Sequence, residues 1–170
     1  MHSAEGLLNL LKAARTTQRI DPWQVQSPIN RRALEKWDSL RGSRPFPARK
    51  DITPKELGSL LRNIALVRVI GQAKDFEFRI LGDAVVQSGA GIEAGMTASE
   101  LECKIPGYGR MFHAIYKDVC IKPSPRAYRG FFERNDGEAF FHESLLLPLG
   151  NHASAVDHLL IVGIYAPLPR

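Results

Sequence analysis

Cysteine is scarce: Cys103 and Cys120 are the only two in 170 residues, too few and too weakly patterned for the disulfide framework of a secreted scaffold. The expectation is a chain with reduced thiols, hence a cytoplasmic one. No apolar run approaches the roughly 20 residues of a membrane-spanning helix. Leu7 to Leu11 is short, follows an acidic residue and runs into Lys12 without a small-residue cleavage pattern, so it does not read as a signal peptide. Internal repeats, low-complexity tracts and runs of basic residues are missing as well. So are the usual marks of catalysis: there is no Gly-x-Ser-x-Gly elbow and no phosphate-loop lysine, and no histidine is placed by the sequence beside a nucleophile.

What is present suits one ordered soluble domain. Hydrophobic residues make up 44% of the chain and charged residues 24%, with the signs mixed, enough apolar side chain for a core and unlike the disordered class. Residues 1–50 carry ten Lys/Arg against four Asp/Glu, whereas the other 120 carry thirteen against fourteen. The basic character therefore belongs to an N-terminal arm, and the division expected is a helical arm over 1–50 and a main domain over 51–170. A basic arm could attract nucleic acid or anionic lipid. Its charges are interleaved with apolar residues, as on a solvated helical face, so neither nucleic acid nor a membrane is expected as a partner.

Apolar spacing predicts an amphipathic helix over 5–20, with Leu7, Leu8 and Leu11 on one face. A second helix is signposted by Ser27 as cap, Pro28 at the first helical position, Ile29, Ala33, Trp37 and Leu40 at helical spacing, and Gly42 beyond the end. Thr53-Pro54-Lys55-Glu56 and Thr97-Ala98-Ser99-Glu100 are capping boxes. A longer helix is predicted over Tyr108–Ile121, with Tyr108, Met111, Phe112, Ile115 and Val119 in its apolar stripe. Strands are predicted at 64–70, 76–81, 127–132, 139–147 and 158–165, the third and fourth flanking the turn Arg134-Asn135-Asp136-Gly137. Ser144–Leu149 and Leu159–Ile164 are apolar at consecutive positions, so both faces of the sheet need cover. The middle helices suit one face, and an N-terminal helix or a second subunit the other.

Two strands, a helical middle and three more strands is the order of the PAS sensor fold. The chain also resembles a bacterial PAS family, often a single domain, formerly catalogued as a domain of unknown function. That resemblance rests on Trp37 with Arg41-Gly42, Phe46-Pro47-Ala48-Arg49 with Asp51 and Pro54, Phe78-Arg79-Ile80-Leu81-Gly82, Gly95, and Leu147-Pro148-Leu149, together spanning about 34–166. Gly82-Asp83 departs from the Gly-Thr expected there. The resemblance implies an α+β fold: a PAS-like five-stranded antiparallel sheet with a helical flank, here with an N-terminal helical extension. It also implies sensing or protein contact without turnover, with a small ligand held between helix and sheet, or a sheet face used to dimerise or to dock on a signalling protein such as a histidine kinase.

His142-Glu143 opens like a zinc-protease motif, but Leu146 stands where the second histidine is needed. Gly89, Gly91 and Gly95 read as turn glycines, since the third is one place late for a dinucleotide loop. Cys103 lies about where flavin photosensors carry a reactive cysteine, but Glu102 and Lys104 do not match that motif. His113 lies on the long helix, where haem sensors carry their ligand, yet the helical wheel turns it off the stripe, toward Tyr116 and Cys120. No cofactor or metal is expected, and the purified protein should be colourless. Arg79 is left open between a partner role and a solvated one, Trp37 reads as a core anchor, and the segment from Arg41 to Lys50 reads as a connector.

The function expected is a PAS-type sensory or signalling module, not an enzyme, that binds a small apolar or amphipathic ligand, a protein partner, or both. The pocket candidates are Phe76, Phe78, Ile80, Met111, Phe112 and Ile115. A homodimer sealed by Leu7, Leu8 and Leu11 over the outer sheet face is expected. The alternatives are a basic-arm protein binding nucleic acid or a membrane surface, and a small cofactor-free α+β enzyme.

Overall fold

The computed structural model of the chain describes residues 17–89, 91–133, 137–151 and 155–168, with the backbone alone for Phe132 and Glu133. Six antiparallel strands form one sheet: β1 (Gln18–Ile20), β2 (Ile64–Ile70), β3 (Asp75–Leu81), β4 (Arg126–Glu133), β5 (Ala139–Leu149) and β6 (His158–Pro167). Their order is β1-β4-β5-β6-β2-β3. The five expected strands are all present, each within two residues of its expected ends, and β1 is an additional short edge strand. It corrects the end of the helix expected over 5–20: Gln18, Arg19 and Ile20 pair with Arg129, Tyr128 and Ala127. The rest of that helix, with Leu7, Leu8 and Leu11, lies outside the described residues.

The helices are α1 (Pro28–Arg41), α2 (Pro54–Leu57), α3 (Asp83–Gln87), α4 (Ala98–Lys104) and α5 (Tyr108–Ile121). Local chemistry sets their ends. Ser27 accepts from the Asn30 N–H ahead of α1, with proline at the first turn; Thr53 does the same for α2; and Thr97 with Glu100 closes a reciprocal capping box on α4. No local side chain caps α5. Glu102, near the end of α4, reaches across to accept from the Gly107 and Arg110 N–H groups at 2.9 and 3.0 Å. Gly109 lets α5 close on α4, because a Cβ there would stand 2.1 Å from the Ala98 carbonyl oxygen.

Alternation along the strands divides the core into two layers. The outer face carries Leu145, Leu147 and Leu149 of β5, Leu160 and Val162 of β6, and Ile64 and Leu66 of β2, packed against Leu34 and Trp37 of α1 and against Phe46, Ile52, Leu57 and Leu60. The inner face carries Leu146, Leu159, Val67, Phe76 and Phe78, packed against Leu101 of α4 and Tyr116 and Val119 of α5. Each fully buried leucine or valine contributes about 1.5–3 kcal/mol. The consecutive apolar runs in β5 and β6 thus have helices on both sides, and α1 supplies the outer cover within the chain.

Two polar anchors fix α1 to the sheet. Trp37 is buried and its indole N–H donates to the Pro148 carbonyl at 2.8 Å, as befits a core anchor. Glu143, fully buried on β5, accepts from the backbone N–H of Gln26 and Ser27 at 2.9 Å each, from Asn30 Nδ2 at 3.1 Å and from Arg129 at 2.7 Å. Burial alone would raise the Glu143 pKa. The N–H donors of Gln26, Arg129, Ser27 and Asn30 outweigh burial and hold it below the usual glutamate value.

Candidate functional site

The space between α5 and the inner face of the sheet is filled by a lattice of aromatic rings. Tyr108, Phe112 and Tyr116 stand one helical turn apart on α5, with Tyr108 to Phe112 centroids at 4.8 Å and Phe112 to Tyr116 at 5.5 Å. Phe76 meets Tyr116 edge-on at 5.4 Å and Phe78 meets Phe112 at 6.0 Å, the geometry aromatic pairs prefer. Phe76 and Phe78 are fully buried, Tyr116 is 2% exposed, and Tyr108, Phe112 and Ile115 are half-buried. The lattice therefore runs from the core to the surface of the domain along α5.

Polar groups are set into this lattice. Tyr165 folds back along β6 over Gly163, where a Cβ would stand 2.8 Å from the tyrosine hydroxyl, so glycine makes room for the ring. Its phenol is raised by burial and partly relieved by a hydrogen bond with Ser144. Burial, with Tyr165 nearby, pushes the Tyr108 and Tyr116 phenols far above their usual value. Burial lowers the His142 pKa, and its Nε2 lies 3.0 Å from Thr17 Oγ1. Ser144 registers with Gly163 and Tyr128, and His142 with Tyr165 and Gly130, so both belong to the same face of the sheet. Every one of these groups is uncharged near neutral pH. Among the described residues, the site offers hydroxyls and ring faces, with no cation and no carboxylate in the lattice.

Four of the six pocket candidates come together here: Phe76, Phe78, Phe112 and Ile115. Ile80 does not. A bulge in β3 pairs Val67 with Phe78 but Leu66 with Ile80, leaving Arg79 as an extra residue; Ile80 consequently faces the outer layer and is 44% exposed. Met111 is half-buried on the flank of α5 and outside the cluster. Tyr116, which the helical wheel set off the pocket, stands at its centre instead, because the stripe that packs is Tyr108, Phe112, Tyr116 and Val119. Tyr165, Ser144 and His142 were missed. Their signal was the small and polar residues of one strand face, at alternate positions, which consecutive leucines and valines conceal.

The other residues singled out have structural surroundings. His113 bonds through Nε2 to the Lys74 carbonyl at 2.9 Å and its ring packs on Phe76. Cys103 is exposed on α4, beside a shallow surface concavity that also holds the ion pair of Lys104 with Glu93. Arg79 and Arg68 both pair with Glu77. Arg44 pairs with Asp51 and donates to the Leu40 carbonyl, bracing the connector. Among the described residues, no three His, Cys, Asp or Glu side chains gather as a metal set, and no helix is long and apolar enough to cross a membrane.

The domain is thus an antiparallel sheet with a long helix across its inner face and polar groups set into the interior between them. The chain belongs to the PAS domain family, whose model matches residues 25–166. No curated protein is similar enough to count as a match. PAS domains are, as a class, sensory and signalling modules.

Proposed function

We propose that this domain is a sensory module that binds a small neutral ligand between α5 and the inner face of the sheet and acts without chemical turnover. The observation that carries the reading is the set of hydroxyls of Tyr108, Tyr116 and Tyr165 within a largely apolar aromatic lattice. Tyrosines with raised pKa values are poor bases at neutral pH, and among the described residues no carboxylate joins the lattice to act with them, which favours recognition over acid–base chemistry. The half-buried residues Tyr108, Phe112 and Ile115 form the way in. A ligand entering there displaces the Phe112 ring and shifts α5, and that shift is the signal.

A thermal-melt screen with neutral phenols and indoles tests this, using wild type and Phe112→Ala. Stabilisation of wild type by at least one of these probes is expected. In Phe112→Ala the same probe should stabilise more, because the truncation opens the space that the probe fills. A panel without effect on either protein would contradict the reading.

A further inference from the structure

On the opposite side of the sheet, between the segment 49–61 and the outer face, lies a small apolar cavity of ≈ 60 Å³. Ile52, Leu57, Leu66 and Leu160 form its buried walls, and Ile80, turned outward by the β3 bulge, stands at its mouth. Arg49 also lines it, half-buried. One Arg49 nitrogen, Nη1, donates to the Ile52 carbonyl at 2.9 Å. The other guanidinium nitrogens have no protein partner among the described residues, and no carboxylate lies within ion-pair distance. The free Arg49 donors reach the surface at the rim of this apolar cavity, where they are open to an anion from solvent. Lys50, Lys55 and Arg62, each a chain neighbour of a lining residue, are exposed and form no ion pair among the described residues, whereas the nearby carboxylates of Asp51 and Glu56 are taken by Arg44 and Lys36.

We propose that this cavity is a second binding site, for a small carboxylic acid with a short branched aliphatic tail. The tail fills the cavity and the carboxylate takes the free donors of Arg49, the planar fork suited to it. Size sets the class: a cavity of roughly 150 Å³ holds benzene, so ≈ 60 Å³ suits a branched tail of a few carbons better than an aromatic ring. The site is separate from the tyrosine-lined interior, with the sheet between them, and its failure would leave the reading of that interior untouched.

The test is methyl-resolved NMR of the full chain titrated with isovalerate, with isobutanol as the tail without the charge and acetate as the charge without the tail. Isovalerate should shift the methyl signals of Ile52, Leu57, Leu66, Ile80 and Leu160, with half-saturation on the order of 1 mM, within reach of so few atoms. Isobutanol and acetate should each bind at least about tenfold more weakly, and Arg49→Gln should weaken isovalerate by about tenfold. Ile80→Phe, which plugs the mouth from a half-exposed position, should abolish the shifts, while the inner-face methyl signals of Val67 and Val119 stay at their wild-type positions and show the fold intact. Absence of outer-face shifts, equal binding of isobutanol, or shifts confined to inner-face methyls would each overturn the proposal. An acidic leucine-bearing peptide that binds far more tightly than the acid would reassign the cavity to a protein partner and equally overturn it.

Discussion

Glu143 shows what one buried side chain does in this fold. Its carboxylate joins β5, β4 and the entrance to α1 through donors from Gln26, Ser27, Asn30 and Arg129. Glu143→Gln removes the charge that all four donors face and leaves Arg129 without its partner, so unfolding stability should fall by about 3 kcal/mol in denaturant titration. Its pKa is depressed in the folded state. The stabilisation is therefore fully present above the ordinary glutamate range and is lost as pH falls through the folded pKa. Wild type should lose stability on acidification below about pH 4.5, while Glu143→Gln, with this group no longer titrating, should lose less over the same range. Parallel slopes for the two proteins between pH 5 and pH 3, measured by the midpoint of chemical unfolding, would contradict the assignment.

The bulge in β3 acts at the scale of the element. Because Arg79 is the extra residue, deleting it gives a regular strand in which Ile80 still faces outward and Leu81 inward, in register with Leu66 and Ala65. The deletion should be tolerated, with a loss of about 1 kcal/mol for the partly buried pair to Glu77, which keeps Arg68 as a partner. Deleting Leu66 from β2 instead sends later side chains to the wrong face and should prevent folding. Circular dichroism and thermal unfolding of the two deletions check this, and equal damage by both would refute it. The bulge also explains what was legible in the sequence and what was not. Elements with chemical punctuation were plain: Ser27-Pro28 and Gly42 frame α1, Thr97 and Glu100 start α4, and α5 runs over the expected Tyr108–Ile121. Ile80 was assigned to the face of Phe78 because strict alternation has no place for an extra residue. The three residues of β1 pair by main-chain hydrogen bonds with β4, and such pairing leaves little periodicity to read.

At the scale of the whole molecule, the sheet is covered by helices on its faces, and among the described residues its edges are β1 and β3. One edge is the bulged β3; at the other, β1 shields only Ala127 to Arg129 of the eight-residue β4. Removing residues 1–20 uncovers all of β4, which carries Phe131 at 48% exposure, and an uncovered strand edge with apolar side chains invites pairing between chains. Sedimentation velocity over a dilution series should show the truncated protein forming larger, concentration-dependent species than the full chain. Identical sedimentation of the two would rule out an edge-protecting role for β1.

On the proposed function, the inner layer, between α5 and the sheet, receives a neutral molecule. Methyl NMR of the full chain with the best-stabilising phenol or indole tests it most directly, since the two core layers carry separate reporters. The inner-face methyls of Val67, Ile115, Val119 and Leu146 should shift on titration while Leu147, Leu160 and Val162 on the outer face stay in place. Unmoved inner-face signals at saturating probe, or shifts on the outer face alone, would contradict it.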